Sequence, residues 1–385
     1  MTGRSFRIAR IAGIPIGVSP WWLVIVALIT WSLGDVYFPE VVANIAPATA
    51  YALGLASALL LFASILLHEL GHAIVARRHG IEIEEIDLWL LGGVSKMRGE
   101  AHNPDDELRY ALAGPAVTAV IAALFGAIAL LLPSSTPAIL RALIDYQALV
   151  NCLILVFNLL PAFPLDGGRV LRSLMWRRSG DMRKATDTAA SVGRVFGYLL
   201  VGLGALELVS GVPQGLWLAV IGFFIIMAAS AQAVGAEVQA VFSGVPARRL
   251  MSTPVVSIPA GLSIERAASE YFLPYRYTAF PAIDSGGRLA GLVEVRRVEA
   301  VPPPQRALRT VADIADPDPQ LTIGEDEDVA TLLERPAFAR VGRAVVVSPL
   351  GVPVGLLSIT DVQRTLRASR IAGVQPEDRP TAAVR

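Results

Sequence analysis

Long apolar runs dominate the first 236 residues and are absent after them. Runs at residues 21–38, 49–76, 108–132, 139–160, 189–209 and 216–234 each approach the roughly 20 residues that a helix needs to cross a bilayer. The first follows Arg4, Arg7 and Arg10, as the core of a secretory leader would. A leader's apolar core spans only about 7–15 residues and ends at a small-residue cleavage site, so this longer run is read as a retained first span. Between the second and third runs the rhythm changes. Ile86, Leu88 and Leu90 alternate with Asp87 and Trp89 up to Gly92-Gly93, the period of a short strand. Non-helical backbone beside a membrane must be buried in protein or line a wet cavity. An ordinary cytoplasmic hairpin satisfies that. So does a strand edge that pairs with an extended substrate, with Ile86, Leu88, Leu90, Gly92 and Gly93 as substrate-binding residues.

After residue 236 short β-branched strands and short helices take over. Two similar units of about 60 residues suggest an internal repeat. The expected division is a membrane domain at 1–236, a linker at 237–246, repeats at 247–300 and 311–372 joined by a linker at 301–310, and a disordered tail at 373–385.

Composition supports a chain that is part membrane and part soluble. Charged residues make up 17%, against about 25% in soluble domains, and the deficit lies in residues 1–236. Basic residues crowd the N-terminus, Arg77-Arg78 and the 169–184 connection, whereas 133–138 and 211–215 contain none. Six spans with a cytoplasmic N-terminus put all these basic segments inside; only Arg141 is out of place. Net charge is zero and no basic block points to nucleic acid. The single Cys152 excludes an internal disulfide and a multi-thiolate zinc site, and reads as a small core residue. Ala113-Gly114-Pro115 and the Gly193/Gly197 pair read as close-packing and kink sites between helices.

The candidate chemistry lies in the second span, at Leu66-Leu67-His68-Glu69-Leu70-Gly71-His72-Ala73-Ile74. On a helix His68 and His72 stand one turn apart and can reach one metal ion. Glu69 points off that axis, placed to take a proton from an attacking water without being a ligand. No charged residue occurs from Tyr51 to Leu67, so these groups sit in or near the bilayer. A central charge there costs about 2.5–3.5 kcal/mol on insertion scales and persists only with partners, a metal or water. Two histidines satisfied inside a bundle are the plainer alternative. A second half of the site lowers its standing. Residues 158–169 carry two prolines that break a helix and two glycines that let backbone pass close, and Asp166 sits at this break. Alone it also reads as a turn residue. Two histidines and a carboxylate with the fourth position open form a catalytic zinc set. Arg78 occupies the place of a metzincin third ligand, and His79 and His102 read as surface residues.

Taken together, the apolar-HELGH-apolar stretch, Gly114-Pro115 in the next span and N-x-x-P-x-x-P-L-D-G-G-R from Asn158 to Arg169 resemble the site-2 protease family of intramembrane metalloproteases. The resemblance covers about residues 21–184. It lacks the inserted PDZ domain of some relatives and is similar to actinobacterial members with a cytoplasmic CBS pair. It implies His68, His72 and Asp166 as zinc ligands and Glu69 as catalytic base and acid. Asn158 is implied to hold the substrate or the oxyanion. The implied function is a zinc-dependent endopeptidase of regulated intramembrane proteolysis. Its substrate would be a membrane-anchored protein such as an anti-sigma factor.

The two repeats resemble a tandem CBS pair, a module that often binds adenine nucleotides between its halves. Gly355-Leu356-Leu357-Ser358-Ile359-Thr360-Asp361 fits the family's G-h-h-S/T-x-x-D motif, which implies Ser358, Thr360 and Asp361 as nucleotide-binding residues. The first repeat departs from it, with Glu294 and Arg297 at the matching positions, so at most one site is intact. A ligand-free packing module is the alternative, and face-to-face pairing implies a homodimer.

The expected fold is therefore a polytopic α-helical membrane protein. It has six transmembrane helices with a short re-entrant β segment, plus a cytoplasmic α/β tandem CBS domain, and both termini lie on the cytoplasmic side of the plasma membrane. A CBS-gated transporter or channel predicts inverted repeats and mid-membrane ions, which the sequence does not show. A catalytically silent scaffold leaves both halves of the site unexplained.

Overall fold

A four-stranded sheet comes before the first membrane helix and is completed after the second. Its strands are β1 (Phe6–Ile11), β2 (Ile14–Val18), β3 (Glu82–Trp89) and β4 (Gly92–Arg98), in that spatial order. The computed structural model describes residues 6–89, 92–98, 101 and 103–372. It divides into two compact units, Met1–Val234 and Gly235–Arg385.

Six helices of the described chain are long and apolar enough to cross a membrane. The first span is composite: α1 (Pro20–Ser32), a π-helical turn (Leu33–Tyr37) and α2 (Phe38–Val41). The others are α3 (Pro47–Arg78), α4 (Pro104–Leu131), α5 (Ala138–Asn158), α7 (Met182–Val209) and α8 (Gly215–Phe242), with the shorter α6 (Asp166–Ser179) between α5 and α7. Proline at the first helical position starts α1, α3 and α4, where its missing N–H costs nothing. Large apolar side chains such as Leu59, Leu124, Leu153 and Phe223 point outward, as lipid-facing surfaces require. Cys152 is exposed on α5, which corrects its reading as a core residue: its apolar surroundings in sequence belong to a lipid face.

Two helical stretches depart from the sequence expectation. Residues 169–184 read as a basic connection, yet α6 occupies most of it and ends at Gly180 in the left-handed region, φ 69°. Its four arginines mask the helical period. The next span begins at Met182, where the Asp181 side chain accepts from the Lys184 N–H at 3.0 Å, a cap that the apolar count could not see.

The sheet lies on α3. Ile14, Ile16 and Ile86 form one buried cluster with Leu70 and Ala73 of that helix. The N-terminal hairpin turns through Ala12 and Gly13, both at positive φ. β2 runs parallel to β3, with Ile16 opposite Ile86 and Val18 opposite Leu88. β4 runs antiparallel on the other side, with Ser95 opposite Ile86 and Gly93 opposite Leu88. Both sides of β3 are thus taken, so Ile86 and Leu88 are not the edge that a substrate segment could join. The expectation failed because the basic N-terminus, whose arginines obscure the strand pattern, supplies the missing neighbour. Leu90 lies outside the described residues, as do His102 and residues 373–385.

The second unit holds two three-stranded sheets of matching design. In one, β5 (Ile258–Pro259) runs parallel to β6 (Ala279–Ile283), which pairs antiparallel with β7 (Leu289–Glu294). In the other, β8 (Thr322–Gly324), β9 (Arg343–Val347) and β10 (Pro353–Ser358) repeat the pattern. Each repeat's lead-in pairs with the other repeat: Ser252 bridges Leu356, and Asp316 bridges Leu292. Ala279, Leu292, Leu321, Ala337 and Val345 form a shared core across both. The expected linker at 237–246 is instead mostly the last turns of α8. Val241 and Phe242 are buried in the core around Ile323, Phe338 and Leu357, which holds that segment helical.

Small residues set the α7–α8 approach. A Cβ on Gly222 would stand 2.6 Å from the Gly197 carbonyl oxygen, and one on Gly197 would stand 2.8 Å from that of Gly222. Gly222→Val should lower stability by about 1–3 kcal/mol through overpacking, seen as a lower Tm in detergent. Cys152→Val, on the outer face of α5, should leave Tm unchanged.

Candidate metal centre

His68 and His72 leave the last third of α3 on one face and are both buried. Their Nε2 atoms lie 3.1 Å apart. Asp166, the first residue of α6, brings Oδ2 to 3.0 Å from His68 Nε2 and 3.2 Å from His72 Nε2. The turn at 159–165, with Pro161 and Pro164, ends α5 and delivers this carboxylate to α3. Among the described residues this is the one cluster of three side chains suited to a metal. Tetrahedral ligation at about 2.0–2.1 Å separates ligand atoms by about 3.3–3.4 Å. A shift of a few tenths of an ångström would therefore admit zinc, and two imidazoles with one carboxylate are a donor set that suits it. Asp166 lies outside the six spans. Zinc takes such a ligand as the carboxylate.

α4 fixes how the two rings face the centre. His72 Nδ1 lies 2.7 Å from the Tyr110 carbonyl oxygen. A carbonyl only accepts, so Nδ1 carries the proton and Nε2 presents its lone pair to the cluster. His68 Nδ1 lies 2.8 Å from Thr118 Oγ1, which can accept in the same way. Partners of this kind orient a ligand ring and raise its basicity. Gly114 fits between them: a Cβ there would stand 2.2 Å from His72 Nε2 and 2.6 Å from His68 Nε2. Tyr110, Gly114 and Thr118 are spaced four apart, and Glu107 stands three before Tyr110, so one face of α4 carries all four. All four are buried. Sequence reasoning read Gly114 as a close-packing and kink site without naming what it packs on, and missed Tyr110 and Thr118; the spacing of four between polar and small residues in an apolar span was the available signal.

Glu69 projects from α3 towards β4. A Cβ on Gly93 would stand 2.4 Å from Glu69 Cγ, so the strand lies against this side chain and only glycine fits. Gly92 is the first residue of the same strand. Asn158 ends α5, is half-buried, and makes no side-chain hydrogen bond among the described residues. Gln147 Nε2 donates to the Ser57 carbonyl at 3.1 Å. Eleven residues further along each of these helices stand His68 and Asn158, each about 16 Å on along its own axis.

In the second unit, Ser358 donates from N and Oγ to Asp361 Oδ2 at 3.0 and 2.6 Å. Asp361 thereby caps the helix Ile359–Ala372, and Thr360 is exposed. In the first repeat Arg297 pairs with Asp316 and Glu294 with Arg296. A cleft of about 580 Å³ is lined by residues including Arg288, Leu292, Asp316, Leu321, Val345 and Leu350, but not by Ser358, Thr360 or Asp361.

The profile of peptidase family M50 matches residues 56–138 and 133–200, and that of the CBS domain matches 247–299. Rip3 of Mycobacterium tuberculosis (strain H37Rv), which bears a zinc metalloprotease name, is 39% identical over 375 residues, 97% of this chain and 95% of that one. The similarly named sll0528 of Synechocystis sp. is 32% identical over 375 residues, covering 95% of this chain and 96% of that one. Among solved structures, the site-2 protease from Methanocaldococcus jannaschii is 28% identical and covers 60% of this chain and 95% of its own, with a TM-score of 0.40. Identity sustained from end to end with Rip3 settles the matter: the chain belongs to peptidase family M50, the site-2 proteases, as a multi-pass zinc metalloendopeptidase of the membrane with an attached CBS module.

Proposed function

We propose that this protein cuts a membrane-anchored protein, such as an anti-sigma factor, in regulated intramembrane proteolysis, with zinc held by His68, His72 and Asp166. The observation that carries the reading is the convergence of two Nε2 atoms and one Oδ2 within 3.2 Å, with the His72 tautomer set by the Tyr110 carbonyl. Zinc, when bound, polarises a peptide carbonyl and makes water more acidic. Glu69 takes the proton from the attacking water and returns it to the leaving amine. Asn158, whose amide makes no hydrogen bond among the described residues, donates one to the developing oxyanion. A helical substrate hides its carbonyls in its own hydrogen bonds and must unwind locally. The outer side of β4, from Gly92 onward, pairs with nothing among the described residues and offers replacement bonds.

Basic segments confined to one side of the six spans support cytoplasmic termini, and the plasma membrane of the cell is the proposed site. The CBS module is proposed to regulate cleavage by binding an adenine nucleotide through Ser358, Thr360 and Asp361, and to join two copies in a homodimer.

Three outcomes test this. Glu69→Gln, reconstituted with a single-span substrate, should lose at least about a hundredfold in rate while keeping its zinc by metal analysis; equal cleavage by both proteins rules out the assigned base. Gly114→Ala places a methyl among the imidazoles and should weaken zinc binding by about 10–100-fold, measured by chelator competition. Calorimetry with ATP should give heat with wild type and none with Asp361→Ala; silence from both removes the nucleotide.

A further inference from the structure

We propose that Glu107 and Arg172 are positioning residues for the third ligand. Their buried ion pair clamps α6 onto the face of α4 that orients both histidines, and so sets where Asp166 stands. The proposal rests on Asp166 being a zinc ligand.

Arg172 Nε donates to Glu107 Oε1 at 2.6 Å, and Nη2 pairs with the same oxygen. Their side chains are 6% and 0% exposed, so the pair is wholly inside the protein. The contacts around it tie the same two elements. Ser173 Oγ donates to the Pro104 carbonyl at 2.6 Å. The Arg169 guanidinium lies 5.2 Å from the ring centroid of Tyr110, whose carbonyl holds His72. The Arg172 guanidinium lies 5.5 Å from the ring of Phe163, in the turn that delivers Asp166. Arg172 is six residues from Asp166 on one helix, about 9 Å along its axis, so a shift at the clamp moves the ligand nearly undiminished. Stability does not explain the pair. Desolvation offsets most of the attraction between buried charges, and apolar residues of similar volume commonly hold a fold as well. What apolar residues lack is a fixed fork that admits one register of α6 on α4.

The test uses the full chain with zinc alone. In Glu107→Met/Arg172→Met the metal-stripped protein should unfold at or above the wild-type temperature. Its zinc Kd, by competition with a chelator, should rise about 10–100-fold. Arg172→Lys, which keeps the charge but not the fork, should fall between. Asp166→Ala is measured in parallel. Weak binding by Asp166→Ala with wild-type affinity in the double variant overturns the clamp alone. Wild-type affinity in Asp166→Ala overturns the ligand assignment beneath it. If the double variant does not fold, Arg172→Lys decides: unchanged zinc affinity overturns the clamp, and weakened affinity with an unchanged unfolding temperature supports it.

Discussion

The contact on which the site depends is the one from His72 Nδ1 to the Tyr110 carbonyl. An imidazole buried among apolar helices has no water to choose its tautomer for it. A backbone oxygen that can only accept leaves one arrangement, with the lone pair of Nε2 facing inward. Thr118 lies in the same relation to His68 one face-length further along α4. Because α4 presents these partners from a single face, its rotation about its own axis is constrained at Glu107, Tyr110, Gly114 and Thr118 together. α3 supplies the reactive groups; α4 supplies the frame that gives them a direction.

Much of this was legible in the sequence because spacing in a helix is geometry. H-E-x-x-H puts two imidazoles on one face, and L-D-G-G after a double proline break puts a carboxylate where a helix has just ended. What spacing cannot convey is which surface a helix meets. Gly114 read as a site of close packing or a kink, and only the packed structure shows that imidazoles stand where its side chain would be. Gly93 read as the end of a strand and a substrate contact, and it lies in β4 directly against Glu69. The N-terminal strands escaped notice because arginines interrupt their apolar pattern, and α6 because its arginines face both solvent and the buried Glu107. Cys152 was misplaced for the opposite reason: in a membrane protein an apolar neighbourhood in sequence does not distinguish core from lipid.

The sheet illustrates how one unforeseen element changes a functional reading. Once β2 occupies one side of β3 and β4 the other, the sheet's outer strands are β1 and β4. Of these two, β4 is the one in contact with Glu69, so its backbone edge and that carboxylate are held by the same few residues.

The second unit repeats a plan twice and then crosses it over. Ser252, in the lead-in of the first repeat, bridges Leu356 in the second, while Asp316, in the lead-in of the second, bridges Leu292 in the first. Each half thus borrows a piece of chain that belongs to its sibling, and a disturbance introduced at either seam touches residues of both.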